Sequence, residues 1–180
     1  ILSYQDIKES RQQREYLRYD RFDSRREHIK VIGFTIDGRM TRGQNELTLG
    51  IDGQLNDLTS VADRTNLNTG VVSKLDSRYP NGDNNMNYLG AYAQHLLKSK
   101  NGKLVLNDGL RVQTVNLHST ISDNSFFNFP FTEIRQKPLA VTGNAGLVFM
   151  PSEEFRFNSS LSSGFRAPNI DDAARIFESS

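Results

Sequence analysis

The side chains best suited to hold a ligand are four closely spaced phenylalanines, Phe126, Phe127, Phe129 and Phe131. They fall in a polar stretch, about residues 119–137, that separates two segments of alternating polarity and is therefore predicted to be a loop. An exposed aromatic cluster can mark a binding surface. Packing of the loop on itself, or contact of the rings with a membrane interface, explains the cluster equally well. Ligand contact by these rings is one of three open hypotheses.

Three arginines form a second candidate group, Arg111, Arg156 and Arg166. Each occupies the polar side of a segment in which apolar and polar residues alternate, so each could meet a ligand on that side. The interpretation favoured over ligand contact is that neighbouring Asp, Asn and Ser side chains satisfy these charges in a wet environment. The sequence does not decide which of the three would contact a ligand.

No arrangement typical of an enzyme is present. His28, His95 and His118 are far apart in sequence, and there is no nucleophile elbow, paired carboxylates or phosphate-binding glycine loop. Because the chain has no cysteine, it has no disulfide, thiolate zinc site or cysteine nucleophile. The sequence predicts neither catalysis, nor a metal site, nor a cofactor.

Arginines are concentrated in residues 10–26, at positions 11, 14, 18, 21, 25 and 26. A helix would bring several onto one face, but the opposite face is not apolar, which argues against a packed helix. The segment could bind an anionic ligand or lipid phosphates. Interleaved Asp20, Asp23 and Glu27 favour a solvated loop with internally paired charges. A formal net charge of +1 argues against nucleic-acid binding.

Most of the remaining chain is predicted to be β-strand, at residues 1–9, 28–36, 47–56, 88–98, 104–113, 139–149 and 155–166. Turn signals occur at Asp37-Gly38, at Lys100-Asn101-Gly102 and at Pro151-Ser152-Glu153. The connections alternate in length: short near 38–45, 99–102 and 151–153, and long at 10–26, 59–87, 119–137 and after 168. Short turns on one side and long loops on the other are typical of outer-membrane barrels.

The later strands each have one apolar and one polar face, and are long enough to cross a bilayer when tilted. The predicted apolar face consists of Leu47, Leu49, Ile51, Leu104, Leu106, Leu110, Val112, Leu139, Val141, Leu147, Phe149, Phe155, Phe157 and Phe165. The predicted fold is all-β, an antiparallel up-and-down meander of about seven long strands that forms part of a transmembrane β-barrel. A soluble β-rich binding module, carbohydrate-binding or adhesin-like, is the alternative.

Several short pieces follow one another along the chain: YQDI at 4–7 with ESR at 9–11 and Arg14, SRYPNG at 77–82 before YLGAYAQ at 88–94, DGLR at 108–111, and GFRAPN at 164–169. Together they resemble the β-barrel part of TonB-dependent outer-membrane receptors, especially those of Bacteroidetes-type bacteria. In the last piece, Phe165 is predicted to face lipid and Arg166 the lumen, with Pro168 ending the strand.

The resemblance implies a barrel of ~22 strands closed by a plug. Residues 1–180 are then expected to be a partial barrel domain, without plug or closure, of a receptor in the outer membrane of a Gram-negative bacterium. It implies TonB-energised uptake of a scarce nutrient such as an iron-siderophore complex, haem or cobalamin. The implied partners are outer-membrane lipid, the nutrient, and the TonB complex through the missing plug, with no nucleic acid. Open sheet edges could let the fragment self-associate.

Overall fold

The computed structural model describes residues 1–126 and 129–167, which form one antiparallel sheet. The strands are β1 (Leu2–Gln13), β2 (Arg21–Arg42), β3 (Asn45–Asn66), β4 (Val72–Lys74), β5 (Asn84–Lys98), β6 (Leu104–Thr120), β7 (Glu133–Gln136), β8 (Leu139–Phe149) and β9 (Phe157–Ser162). Seven strands follow one path, β1-β2-β3-β5-β6-β8-β9, while β4 pairs with β3 and β7 with β6. The predicted antiparallel meander is confirmed. Among the described residues, no helix is long and apolar enough to cross a membrane.

The short connections all lie at the same end of the strands. Gly43 and Gln44 alone join β2 to β3, and Gly43 takes a φ of 60°, a conformation that favours glycine. The predicted Lys100-Asn101-Gly102 turn joins β5 to β6, with Gly102 at φ 69°. At the opposite end of the strands, residues 67–83 connect β3 to β5 and residues 121–138 connect β6 to β8. The predicted turn at Asp37-Gly38 is wrong, because both residues pair within β2.

Two predicted loops are largely strand. Residues 10–13 continue β1 and residues 21–26 begin β2, so only residues 14–20 remain between those strands. Residues 59–66 continue β3 and residues 84–87 begin β5, and β4 lies between them. Both mistakes have the same cause. The strands extend into a region where large apolar side chains are too few and too scattered along each strand to make a period of two visible in the sequence.

The register places the apolar side chains of five strands on one face, here called the outer face, and the side chains alternating with them on the inner face. Residues 32–40 of β2, 47–55 of β3, 89–97 of β5, 104–112 of β6 and 139–149 of β8 carry an almost wholly apolar outer face, here called the apolar band. A tilted strand needs ~9–11 residues to cross the hydrocarbon core, which matches each of these lengths. Ile36, Leu49 and Leu110 are each more than half exposed.

The predicted apolar face is confirmed wherever it falls in a strand. Phe155 and Phe165 are the exceptions, because β9 runs only from Phe157 to Ser162. Arg166 likewise lies beyond that strand, and Pro168 and Asn169 lie outside the described residues. Phe149 and Phe157 stack on the outer face with ring centroids 6.5 Å apart. The outward position of Phe157 is therefore supported by a cross-strand aromatic pair.

Beyond the apolar band, toward the long connections, the two faces exchange polarity. The outer face becomes polar, with Lys8 on β1, His28 on β2 and Thr59 on β3 paired side by side. The inner face becomes apolar, and there Leu58 and Leu117 form a buried cluster with Ile29, Tyr79 and Met86 packed against it. Tyr79 belongs to residues 75–83, here called the inner segment. This segment covers the apolar part of the inner face.

Asn84 anchors the inner segment at its junction with β5. Its side chain is fully buried, and its Nδ2 donates to the carbonyl oxygens of Leu58, Pro80 and Gly82 at 3.2, 2.8 and 3.1 Å. Its Oδ1 accepts from the Ser119 hydroxyl. Both ends of the buried amide are thus bonded, as burial of a polar group requires. The network ties the segment to β3 and β6 together.

Replacement of Gly82 by alanine is expected to loosen the inner segment. A Cβ at Gly82 would overlap the backbone carbonyl of Thr120, whereas one at Gly38 would meet nothing within 4 Å. Relief of such an overlap costs ~1–3 kcal/mol. Amide hydrogen exchange of residues 75–84 in the intact protein should therefore accelerate about tenfold or more in Gly82→Ala. Unchanged exchange, or equal acceleration in the matched control Gly38→Ala, would contradict the role given to Gly82.

Candidate functional site

At the level of the apolar band, the inner face carries an ion pair that spans three strands. Arg111 on β6 donates from Nη2 to both carboxylate oxygens of Asp52 on β3, at 2.8 and 3.0 Å, and from Nε to Gln113 at 2.7 Å. Between them lies Gly90 on β5, where a Cβ would overlap the guanidinium and lie 2.8 Å from Asp52 Oδ1. Glycine at this position leaves the space through which the two charges meet.

Tyr92 lies next to this ion pair on the inner face. Its ring occupies the space above Gly50, where a Cβ would overlap the ring atoms. An open cavity of about 220 Å³ is lined by Tyr92, Arg111, Thr142 and Asn144, among others. Hydroxyl, amide and guanidinium groups therefore converge on one polar depression at membrane depth.

Closer to the long connections, charged pairs line the inner face. Arg64 donates to both carboxylate oxygens of Asp23 at 2.6 and 2.7 Å, which lowers the pKa of Asp23 below its usual value. Arg25 reaches Asp76 of the inner segment at 3.5 Å. Strand geometry thus divides the arginines of residues 10–26, because Arg25 points inward and Arg26 outward. Arg26 pairs with Asp63 on the outer face.

Glu27 is a buried carboxyl group on the same inner face. It is 7% exposed, and burial raises its pKa, with a further increase from Glu9. Arg78, Arg11 and Arg25 oppose this shift. The side chain lies opposite Ser60 in the register, under the inner segment. Asp23 and Glu27 are only four residues apart, yet their pKa values move in opposite directions because one has a bidentate partner and the other is shielded from water.

The aromatic cluster lies between β6 and β7, in the long connection. Phe129 and Phe131 stack with ring centroids 5.4 Å apart, and Phe131 is 43% exposed. Asn124 holds the loop by donating to the Phe129 carbonyl oxygen and accepting from its amide. Asp123 accepts from Ser125 and from Lys74, which lowers the pKa of Asp123 to about 2. The loop presents two stacked rings on an ordered polar base.

The other predicted site residues are dispersed. Phe126 is exposed in the same loop, and Phe127 lies outside the described residues. Arg156 donates to Asn158 at 3.1 Å in the short connection before β9. This connection lies at the other end of the strands from the phenylalanine loop. Arg111 and Arg156 therefore lie at different levels of the sheet and do not share a site. Residue spacing gave no sign of Asp52 and Gly90, because only the register shows that they meet Arg111.

Each histidine hydrogen-bonds a carboxylate on the outer face. His28 contacts Asp6 at 2.8 Å, His95 contacts Asp108 at 3.0 Å, and His118 contacts Glu133 at 2.6 Å. The His95–Asp108 pair provides the only polar side chains in the described apolar band, where each partner satisfies the other. Within residues 1–126 and 129–167, no three His, Asp or Glu side chains are grouped to hold a metal ion.

The fold and its two faces agree with a comparison to known families. A family model described as TonB dependent receptor-like, beta-barrel, matches residues 2–177. The chain belongs to the TonB-dependent receptor family. No curated protein matches the sequence.

Receptors of this family are transporters of the outer membrane of Gram-negative bacteria, and not enzymes. The family replaces the alternative of a soluble binding module, because the match spans nearly the whole chain. Such barrels have short periplasmic turns and long extracellular loops. The end of the sheet that carries residues 67–83 and 121–138 is therefore the extracellular end. Bacteroidetes-type origin, absence of a plug and incompleteness of the barrel stay predictions.

The ion pair between β3 and β6 is expected to stabilise this receptor domain through its geometry. Asp52 and Arg111 are both largely shielded from water, with side chains 21% and 27% exposed. A double-mutant cycle with Asp52→Asn and Arg111→Gln should give a coupling free energy on the order of 1 kcal/mol. Urea unfolding of the intact receptor in lipid vesicles measures it. Strict additivity of the two changes would show that the pair contributes nothing.

Acid should weaken the Asp23–Arg64 pair. Because the folded-state pKa of Asp23 is lowered, the pair stabilises the fold above the unfolded-state pKa, and this contribution is lost as pH falls through the folded-state pKa. The free energy of unfolding should therefore differ between wild type and Asp23→Asn at neutral pH, and this difference should shrink as acid is added. A difference independent of pH would contradict this assignment.

Proposed function

We propose that this chain is part of a receptor that takes up a scarce nutrient across the outer membrane with energy supplied through TonB. The observation that carries the proposal is the apolar band on the outer face, opposite an inner face with paired charges, in a member of this receptor family. Such a sheet suits a wall between lipid and an aqueous lumen. An iron-siderophore complex, haem or cobalamin is the nutrient class we propose.

The proposed ligand contacts are on the extracellular side and on the inner face. Phe129 and Phe131 offer a stacked aromatic surface in the long loop, which suits a planar or conjugated ligand. Arg111 is proposed to contact ligand or plug next to Tyr92, through guanidinium N–H groups that do not bond to Asp52 or Gln113. Phe126, which is exposed in the same loop, is proposed as a further contact, and Arg156 and Arg166 are given a lesser part.

Uptake is tested with a strain in which the gene for the intact receptor is deleted. We expect the deletion strain to stop accumulating one radiolabelled nutrient of this class at limiting concentration. Complementation should restore accumulation only when TonB is active. Normal accumulation of every ferric siderophore, haem and cobalamin tested would overturn the proposed nutrient class.

Loss of the stacked rings should weaken ligand binding. Each aromatic contact removed from a binding site costs ~1–2 kcal/mol, so Phe129→Ala with Phe131→Ala should raise the ligand dissociation constant about tenfold or more. Phe149→Ala with Phe157→Ala is the matched control, since it removes a stacked pair from the outer face near the short connections. Equal weakening in both double variants would show that the loop rings act only through stability.

A further inference from the structure

Six large apolar side chains are exposed at the extracellular end of β1 to β4, and together they are here called the tip patch. Three belong to residues 14–20, between β1 and β2, and three to residues 67–72, at the turn into β4: they are Tyr16, Leu17, Tyr19, Leu67, Val71 and Val72. The amide of Leu67 donates to the carbonyl oxygen of Asp20 at 2.7 Å. This bond joins the two segments, so the tip patch is one surface.

Hydrogen bonds fix the backbone beneath the tip patch. In the second segment, Asn66 Oδ1 accepts from two successive backbone amides. In the first, the amide of Arg18 donates to the carbonyl oxygen of Glu15 and closes a turn. Leu17 is the third residue of this turn and takes a φ of 64°, a conformation that glycine and asparagine adopt more readily than leucine. The turn thus presents an apolar side chain at a cost in backbone energy.

The tip patch is large for a surface that meets only water. Tyr16 and Leu17 are 82% and 71% exposed, and the other four side chains are between 42% and 63% exposed. Since a large aromatic side chain covers ~150–250 Å² and an aliphatic one somewhat less, the exposed area is roughly 600 Å². The largest apolar patch on a typical monomer measures ~300–600 Å². Each partner in a standard protein interface contributes ~800 Å², polar rim included. The tip patch therefore suffices for the centre of such an interface.

The position of the tip patch determines what can cover it. Arg21, where β2 begins, lies eleven residues beyond Ile32, the last band residue of that strand, or ~36 Å along the strand. With a tilt of ~45°, this places the patch ~25 Å beyond the hydrocarbon edge, whereas the headgroup layer is only ~5–8 Å thick. Val72 lies beside Thr65 and Phe22 in the register, on the outer face and away from the inner face. The occupant must therefore stand well above the lipid, beside the sheet.

A second copy of the receptor meets this requirement, because both copies sit in one membrane in one orientation and carry the patch at the same height. A two-fold axis along the membrane normal brings the two patches face to face. The charges around the patch complement themselves in that arrangement, since Arg14 and Arg18 alternate with Glu15 and Asp20. The Arg18–Glu15 pair within one copy is 3.5 Å long with both side chains about half exposed, so either group can exchange its partner.

We propose that the tip patch is the centre of a two-fold interface between two copies of this receptor. Tyr16 and Tyr19 are its aromatic anchors, and Arg14 of each copy lies opposite the carboxylates of the other. Tyrosine and arginine are enriched among the residues that dominate protein interfaces. The fixed backbone lowers the entropy lost on association, and confinement to one membrane raises the effective concentration of each copy. The proposal rests on the membrane position of the sheet and not on uptake.

The first test uses two differently tagged copies of the intact receptor, expressed together and extracted from outer membranes in mild detergent. Purification through one tag should recover the other copy. Tyr16→Ser with Tyr19→Ser in both copies removes the aromatic anchors, so recovery should fall about tenfold or more. Phe155→Ser is the control, because it replaces an exposed aromatic side chain in the short connection before β9, and it should leave recovery at the wild-type level.

The second test identifies the occupant in whole cells. Residues 1–180 contain no cysteine, so Leu17→Cys introduces a single thiol into this part of the receptor. A short bismaleimide should then produce a species of twice the receptor mass on a denaturing gel, with only receptor peptides in its mass spectrum. The wild-type receptor, treated with the same reagent, should remain at the mass of one copy.

Equal recovery of the tyrosine variant and wild type, or an equal loss in Phe155→Ser, would overturn the proposal. So would a cross-linked species that contains a different protein, or a Leu17→Cys thiol closed to external maleimide without cross-linking, which would show that another loop of the same receptor covers the patch. Heat-modifiable migration of each variant shows that its barrel is intact. A tyrosine variant that no longer pairs but still accumulates nutrient supports both proposals. Unpaired wild-type copies with normal accumulation overturn only this one, and paired copies without accumulation overturn only the proposed function.

Discussion

The structure depends on where each face of one sheet can bury apolar surface. Within the apolar band the outer face is apolar and the inner face carries Asp52 and Arg111. Beyond the band the order reverses, and Leu58 and Leu117 turn inward beneath the inner segment. A strand has only two faces, so each can be apolar only where something covers it. Lipid covers the outer face in one region, and the chain itself covers the inner face in the next.

This exchange of polarity between the two faces explains why the strands are longer than the membrane is thick. β2 and β3 each contain 22 residues, about twice what a tilted strand needs to cross a bilayer. The inner segment covers these additional residues, and Asn84 holds it there by donating to three backbone carbonyl oxygens. The extracellular part therefore has a small hydrophobic core of its own. This core lies on the inner face, at the end of the sheet with the long connections.

The sequence predicted the strands and their faces well where lipid covers the outer face of the sheet, and much less well elsewhere. Leu47, Leu49 and Ile51 alternate with polar residues because lipid demands a continuous apolar outer face, and this pattern predicted both the fold and the facing of the strands. Around Leu58 the apolar side chains are few, small and on the other face, so β3 was predicted to end too early. The partner of Arg111 needed the register of three strands, which residue spacing along one strand does not contain.

Pairing of charges on the inner face has a consequence for recognition. Arg111 and Arg64 each bond both oxygens of a carboxylate, and Arg25 reaches Asp76. An anionic ligand that recruited one of these arginines would leave a shielded carboxylate without its partner, at a cost comparable to the stabilisation that the ligand itself provides. Such a wall repels neither sign of charge strongly and binds neither strongly. We therefore expect affinity to come from apolar surfaces, which need no opposite charge, and the stacked Phe129 and Phe131 rings are the clearest of these on the extracellular side.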